Sequence, residues 1–92
     1  MEHQRVHLII SGYVQGVWFR ASARDEANRL GVVGWVRNQV DGSVEIMAEG
    51  TQSQMETFIH WCHRGPEGAK VNHVDVEQET ATGEFTEFGT TY

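Results

Sequence analysis

The spacing of apolar residues changes abruptly between residues 12 and 20, so the chain joins a strand to a helix there. Upstream, Val6, Leu8 and Ile10 alternate with Arg5, His7 and Ile9, the period of two expected of a strand with one face on a core. Downstream, Phe19, Ala23, Ala27 and Leu30 recur at helical spacing, with Arg24, Asp25, Asn28 and Arg29 on the other sides. The joint is Gly12-Tyr13-Val14-Gln15-Gly16-Val17-Trp18-Phe19-Arg20, a short glycine-containing turn closed by an arginine. Backbone N–H groups at such a turn, and those opening the next helix, have no partners of their own and converge on an anion. A guanidinium matches phosphate or carboxylate oxygens bidentately, so the run has the makings of an oxyanion cradle gripped by Arg20.

The helix is expected to stop at Gly31, a residue that suits the left-handed C-terminal position. Val32 to Val40 is rich in β-branched and aromatic residues, and Ser43 to Glu49 alternates Val44, Ile46 and Ala48 against Glu45, Met47 and Glu49. Asp41-Gly42 between them favours a tight hairpin turn, which makes these segments antiparallel neighbours. Ser53 and Glu56 have the spacing of a capping box, and Met55, Phe58, Ile59 and Cys62 form the apolar stripe of a second helix that Gly65-Pro66 ends. Val74 and Val76 alternate with His73, Asp75 and Glu77 in a further strand. Phe85 and Phe88 are out of phase for one face of a strand, so the tail predicts only a short or bulged edge strand from about Glu84. The order βαββαβ predicts an α+β fold, a ferredoxin-like α/β sandwich in which two helices cover one face of an antiparallel sheet of four to five strands. In that topology the second strand can lie beside the first, which would let Asn38 approach the loop.

A chain of 92 residues holds one domain, 1–92. No apolar stretch approaches the roughly 20 residues that span a membrane, and Met1 to Arg5 lacks the features of a signal peptide. The expectation is a cytoplasmic protein with no membrane partner. Cys62 is the only cysteine, which excludes an intramolecular disulfide and a cysteine-based metal cluster and suggests a core residue. Through Val40 five arginines face three carboxylates, a balance of +2; beyond it ten carboxylates face Arg64 and Lys70, a balance of −8. The cradle therefore lies in the cationic half, which fits a small anion better than a nucleic acid, whose phosphates require an extended basic surface.

The run Gly12 to Arg20 resembles the signature of the acylphosphatase family. A second block, Leu30-Gly31-Val32-Val33-Gly34-Trp35-Val36-Arg37-Asn38 followed by Asp41-Gly42-Ser43-Val44-Glu45, resembles that family's second motif, and Gly65-Pro66 and Phe88 also fall in place. Trp18 occupies a variable position of the loop, and Gly89-Thr90-Thr91 is more polar than the usual end. The resemblance implies hydrolysis of small acyl phosphates to a carboxylate and inorganic phosphate, without cofactor, metal or covalent intermediate. It further implies that Arg20 and the backbone of Gln15, Gly16, Val17, Trp18 and Phe19 hold the phosphate, that Asn38 orients the attacking water, and that the substrate's own oxygens take the proton.

Other readings remain open on the residues alone. The same loop in a binding module would retain phosphate without turnover, and Asn38 is what separates the two, because anion capture has no use for a water-orienting amide. A nucleic-acid-binding domain of this fold lacks both the basic surface and the paired stacking aromatics here. Arg24, one helical turn after Arg20, could reinforce the anion field, but with Asp25, Glu26 or Asn28 at hand it is read as a surface residue. His60 and His63, or His3 and His7, share a side of their elements but have no further ligand at a recognised spacing, so no metal site is assigned. Trp35 and Trp61 are expected to pack, and Trp18 to meet solvent or substrate. A single small domain without an obvious apolar patch suggests a monomer.

Overall fold

A strand with Val6, Leu8 and Ile10 on one side must have that side covered, and two amphipathic helices cover it. The computed structural model describes residues 3–91. The elements are β1 (His3–Tyr13), α1 (Phe19–Leu30), β2 (Val33–Asn38), β3 (Val44–Thr51), α2 (Gln52–Arg64), β4 (Lys70–Glu79) and β5 (Phe88–Thr91). The strands form one sheet in the order β4-β1-β3-β2-β5. Val44, Ile46 and Ala48 continue the buried face of β1, and Phe19, Ala23 and Ala27 from α1 and Met55, Phe58 and Cys62 from α2 close it from above. Burial pushes the Cys62 thiol pKa up, as befits an inert core thiol.

The expected hairpin of β2 and β3 is present, with Val36 opposite Ile46 and Asn38 opposite Val44. Its turn is wider than a two-residue Asp41-Gly42 turn. The N–H of Gln39 donates to Ser43 O (2.8 Å) and that of Gly42 to Gln39 O (3.2 Å), with Gly42 left-handed at φ 96°. The second strand does not lie beside the first. β3 stands between them, because it is the strand buried on nearly its whole length and pairs on both edges, with Leu8 and Val36 flanking Ile46.

The second helix also starts differently. Thr51 is its N-cap, accepting from Gln54 N (3.2 Å), while Gln54 Oε1 accepts from Thr51 N (2.8 Å); Ser53 and Glu56 play no such part. The choice has a tertiary cause, since Gln54 Nε2 donates to Leu30 O (2.9 Å) at the end of α1. A glutamate has no donor for that bond. Gly31 ends α1 in the left-handed conformation as expected, and Gly65 follows α2 with its N–H on Trp61 O (2.8 Å).

β4 and β5 lie at opposite edges of the sheet, so the chain between them must cross a sheet face. It crosses the face turned away from the helices. Glu49, only 1% exposed, accepts there from Arg5 Nε (2.6 Å) and from the N–H groups of Thr82 and Gly83 (both 3.2 Å). Arg5 also binds Thr82 Oγ1 (2.7 Å) and Glu84, and its guanidinium lies 4.7 Å from the centre of the Phe85 ring. The phase conflict between Phe85 and Phe88 is thereby resolved: Phe85 packs on the crossing side, while Phe88 enters the core edge-on to Phe58. Residue 84 belongs to the crossover, the last strand begins at Phe88, and it joins β2 in parallel, so the sheet is mixed.

Burial pushes the Glu49 carboxyl pKa up, but the Thr82 N–H, the Arg5 guanidinium and the Gly83 N–H outweigh it and hold it below the ordinary value. The carboxylate therefore stabilises the fold above its unfolded pKa of about 4.3, and that contribution is lost as pH falls through the lower folded value. We expect Glu49→Gln to cost about 3 kcal/mol at neutral pH, the scale for breaking a buried pair. In urea denaturation the gap between variant and parent should narrow on acidification.

Candidate active site

The loop from β1 to α1 begins with a backbone contact that only glycine permits. At Gly12 (φ 129°) a Cβ would lie 2.1 Å from Lys70 O, where β1 shifts register against β4. The loop then turns through Gly16 (φ 76°) and Trp18 (φ 64°), and α1 begins at Phe19 with Trp18 as N-cap. No side chain caps this terminus, and no acidic residue sits in its first turn. A helix start of this kind offers its first N–H groups and the positive end of the dipole to an anion.

The loop, α1, β2 and β5 meet at one end of the sheet around a cleft of about 380 Å³. Val14, Gly16, Trp18, Phe19, Arg20, Ala21, Arg24, Asn38 and Thr90 line it. Arg20 and Asn38, proposed together from two separate sequence blocks, thus share one cleft. Arg20 is half-buried, with Nη1 3.4 Å from Thr91 O. Asn38 is the last residue of β2, so its position is set by the sheet even though its neighbour is β3 and not β1.

The remaining loop residues divide by role. The Phe19 ring is buried and 5.4 Å from that of Trp61, so its contribution to an anion is its backbone. Val17 packs against the core and does not line the cleft. The Gln15 side chain turns to the hairpin, where Nε2 donates to Gln39 O (2.7 Å) and Ser43 O (2.8 Å). This amide ties the loop to the turn that follows Asn38. The turn is braced in its own right: Asp41 Oδ1 accepts from Ser43 N (3.0 Å), and Ser43 Oγ lies 2.6 Å from Asp41 Oδ1 and 2.7 Å from Gln39 Oε1. The Ser43 hydroxyl and N–H hold the Asp41 carboxyl pKa below its ordinary value.

Gln39, Ser43 and Thr90 escaped the reading of the sequence, because a side chain's long-range partner leaves no periodic signal. Arg24 was read as a surface residue, and its Nε and Nη2 do lie 3.3 Å from Asp25 Oδ1. It also lines the cleft, as its spacing of four from Arg20 allows. Among the described residues, no group of three or more His, Cys, Asp and Glu side chains is placed to hold a metal ion. Among the same residues, no helix is long and apolar enough to cross a membrane.

Fold and site together define an α+β sandwich with a cleft at one end of its sheet, lined by two arginines and an uncapped helix start. The chain belongs to the acylphosphatase family, whose model matches residues 6–90. The acylphosphatase of Methylococcus capsulatus is 52% identical over 85 residues, covering 92% of each chain, and that of Marinobacter nauticus is 51% identical over all 92 residues. The crystal structure of acylphosphatase from Bacillus subtilis superposes with a TM-score of 0.93 at 32% identity, covering 97% of this chain and 99% of the other.

Replacing Gln15 with Leu removes its two bonds to the hairpin, while Ser43 O keeps the Gln39 N–H and Gln39 O keeps the Gly42 N–H. We expect a loss of about 1–2 kcal/mol in urea denaturation, at one or two net hydrogen bonds.

Proposed function

We propose that the cleft binds the phosphoryl group of a small acyl phosphate and delivers water to it. The observation that carries this reading is the convergence of Arg20, the uncapped start of α1 and Asn38 on one cleft. The phosphoryl oxygens take the N–H groups of the loop from Gln15 to Phe19 and the Arg20 guanidinium, which together match the charge spread over three equatorial oxygens in the transition state. Asn38 accepts a hydrogen bond from water through its carboxamide oxygen and holds it for in-line attack. The water oxygen bonds to phosphorus, the bond from phosphorus to the acyl oxygen breaks, and the carboxylate leaves with the bonding pair. A carboxylate is a good leaving group, so no acid is needed to protonate it. The proton of the attacking water passes to a phosphoryl or carboxyl oxygen of the substrate itself. Products are a carboxylate and inorganic phosphate.

Hydrolysis of benzoyl phosphate by the purified chain in excess chelator tests the reading; a folded sample without turnover would sink it and leave phosphate binding alone. Arg20→Ala should lower kcat/KM by at least about 10²-fold and weaken inhibition by phosphate, since one preorganised donor is worth about 10²- to 10³-fold in rate. Asn38→Ala should lose rate on a similar scale yet keep its affinity for phosphate. Full activity in Asn38→Ala would remove the water-orienting role.

A further inference from the structure

Trp18 is the one residue of the cleft that the fold does not account for. It is the only non-glycine residue among those described with a positive φ, 64°, a conformation that costs an L-residue about 1–2 kcal/mol and that glycine or asparagine adopts more readily. The side chain does not recover that cost: it makes no cap bond to α1, and the indole is 80% exposed. The other two tryptophans are placed by their surroundings, Trp61 against Phe19 and Phe58, and Trp35 with the Arg37 guanidinium 5.3 Å from its ring. A strained, solvated indole on the rim of a cleft shared with Arg20 and Asn38 calls for a partner that arrives with the ligand.

The chemistry of the ring selects which part of the ligand that is. An aromatic face carries negative quadrupole density and repels an anion, so it does not serve the phosphoryl group, which the N–H groups and Arg20 already accommodate. It attracts a flat or apolar group leaving the cleft. We infer that Trp18 is the wall against which the acyl group lies, and that this cleft favours acyl phosphates whose acyl group is aromatic. The inference rests on the hydrolase reading above and adds the substrate class to it. No bond is made or broken by Trp18; it is a specificity residue.

The test compares benzoyl phosphate with acetyl phosphate in the parent, Trp18→Ala and Trp18→Phe, together with inhibition by inorganic phosphate. Referring each variant to the parent cancels the difference between the two leaving groups. Trp18→Ala should lower the benzoyl-to-acetyl ratio of kcat/KM about 3- to 10-fold relative to the parent, the scale of one aromatic contact. Trp18→Phe should keep most of the benzoyl preference. A benzoyl-to-acetyl ratio that is the same in all three proteins overturns the inference and leaves the hydrolase intact. So does a joint loss on both substrates and on phosphate inhibition, which would make Trp18 a shaper of the loop. A parent that hydrolyses neither compound overturns the hydrolase reading and this inference with it.

Discussion

The buried carboxylate of Glu49 is the interaction on which the last third of the chain depends. β4 and β5 occupy opposite edges of the sheet, and the residues between them have to lie across a polar face without leaving backbone groups unsatisfied. Glu49 accepts two consecutive N–H groups of that segment while Arg5 offsets its charge. The crossing thereby sets where Phe88 enters the core and brings Thr90 to the cleft. A neighbouring group on the same face follows the same logic. Burial raises the Glu45 pKa, and His7 and Arg37 bring it below the ordinary value, so this buried carboxylate is also paired on both oxygens.

The active-site end is built by different means. β1 is hydrogen-bonded along both edges, α1 is docked through Phe19, Ala23 and Ala27, and the loop between them is short. The cradle therefore has rigid supports on either side. What the sheet does not fix is the distance between this loop and the β2–β3 turn, and there Gln15 supplies the link. The most polar residue of the loop serves the scaffold, while backbone and arginine face the cleft.

Much of this was legible in the sequence, and the reasons differ by residue. Val6, Leu8 and Ile10 against Phe19, Ala23 and Ala27 announced strand and helix because periodicity is local. Arg20 and Asn38 were singled out because each lies in a block that resembles an acylphosphatase motif, and both line one cleft. Sheet order was less accessible: whether β2 or β3 adjoins β1 is decided by burial on both edges of β3, a property of the assembled sheet. The capping residues of α2 were misplaced for a similar reason, since Thr51 and Gln54 win through the bond of Gln54 to Leu30, far away in sequence. The parallel β5 was hidden because its placement comes from Glu49 and Arg5, on strands to which it is not bonded.

The position of β1 has a consequence for how the protein is made. It leaves the ribosome before its partners β3 and β4, and the pairing of Arg5 with Glu79 cannot form until β4 has emerged. Through that interval the apolar run from Leu8 to Ile10 has open edges, which is the situation in which nascent strands associate wrongly. Arg5, whose native role is to pair with Glu49, places charge beside that run before its partner exists. Long-range pairing of this kind also makes folding slow relative to a helical protein of equal size.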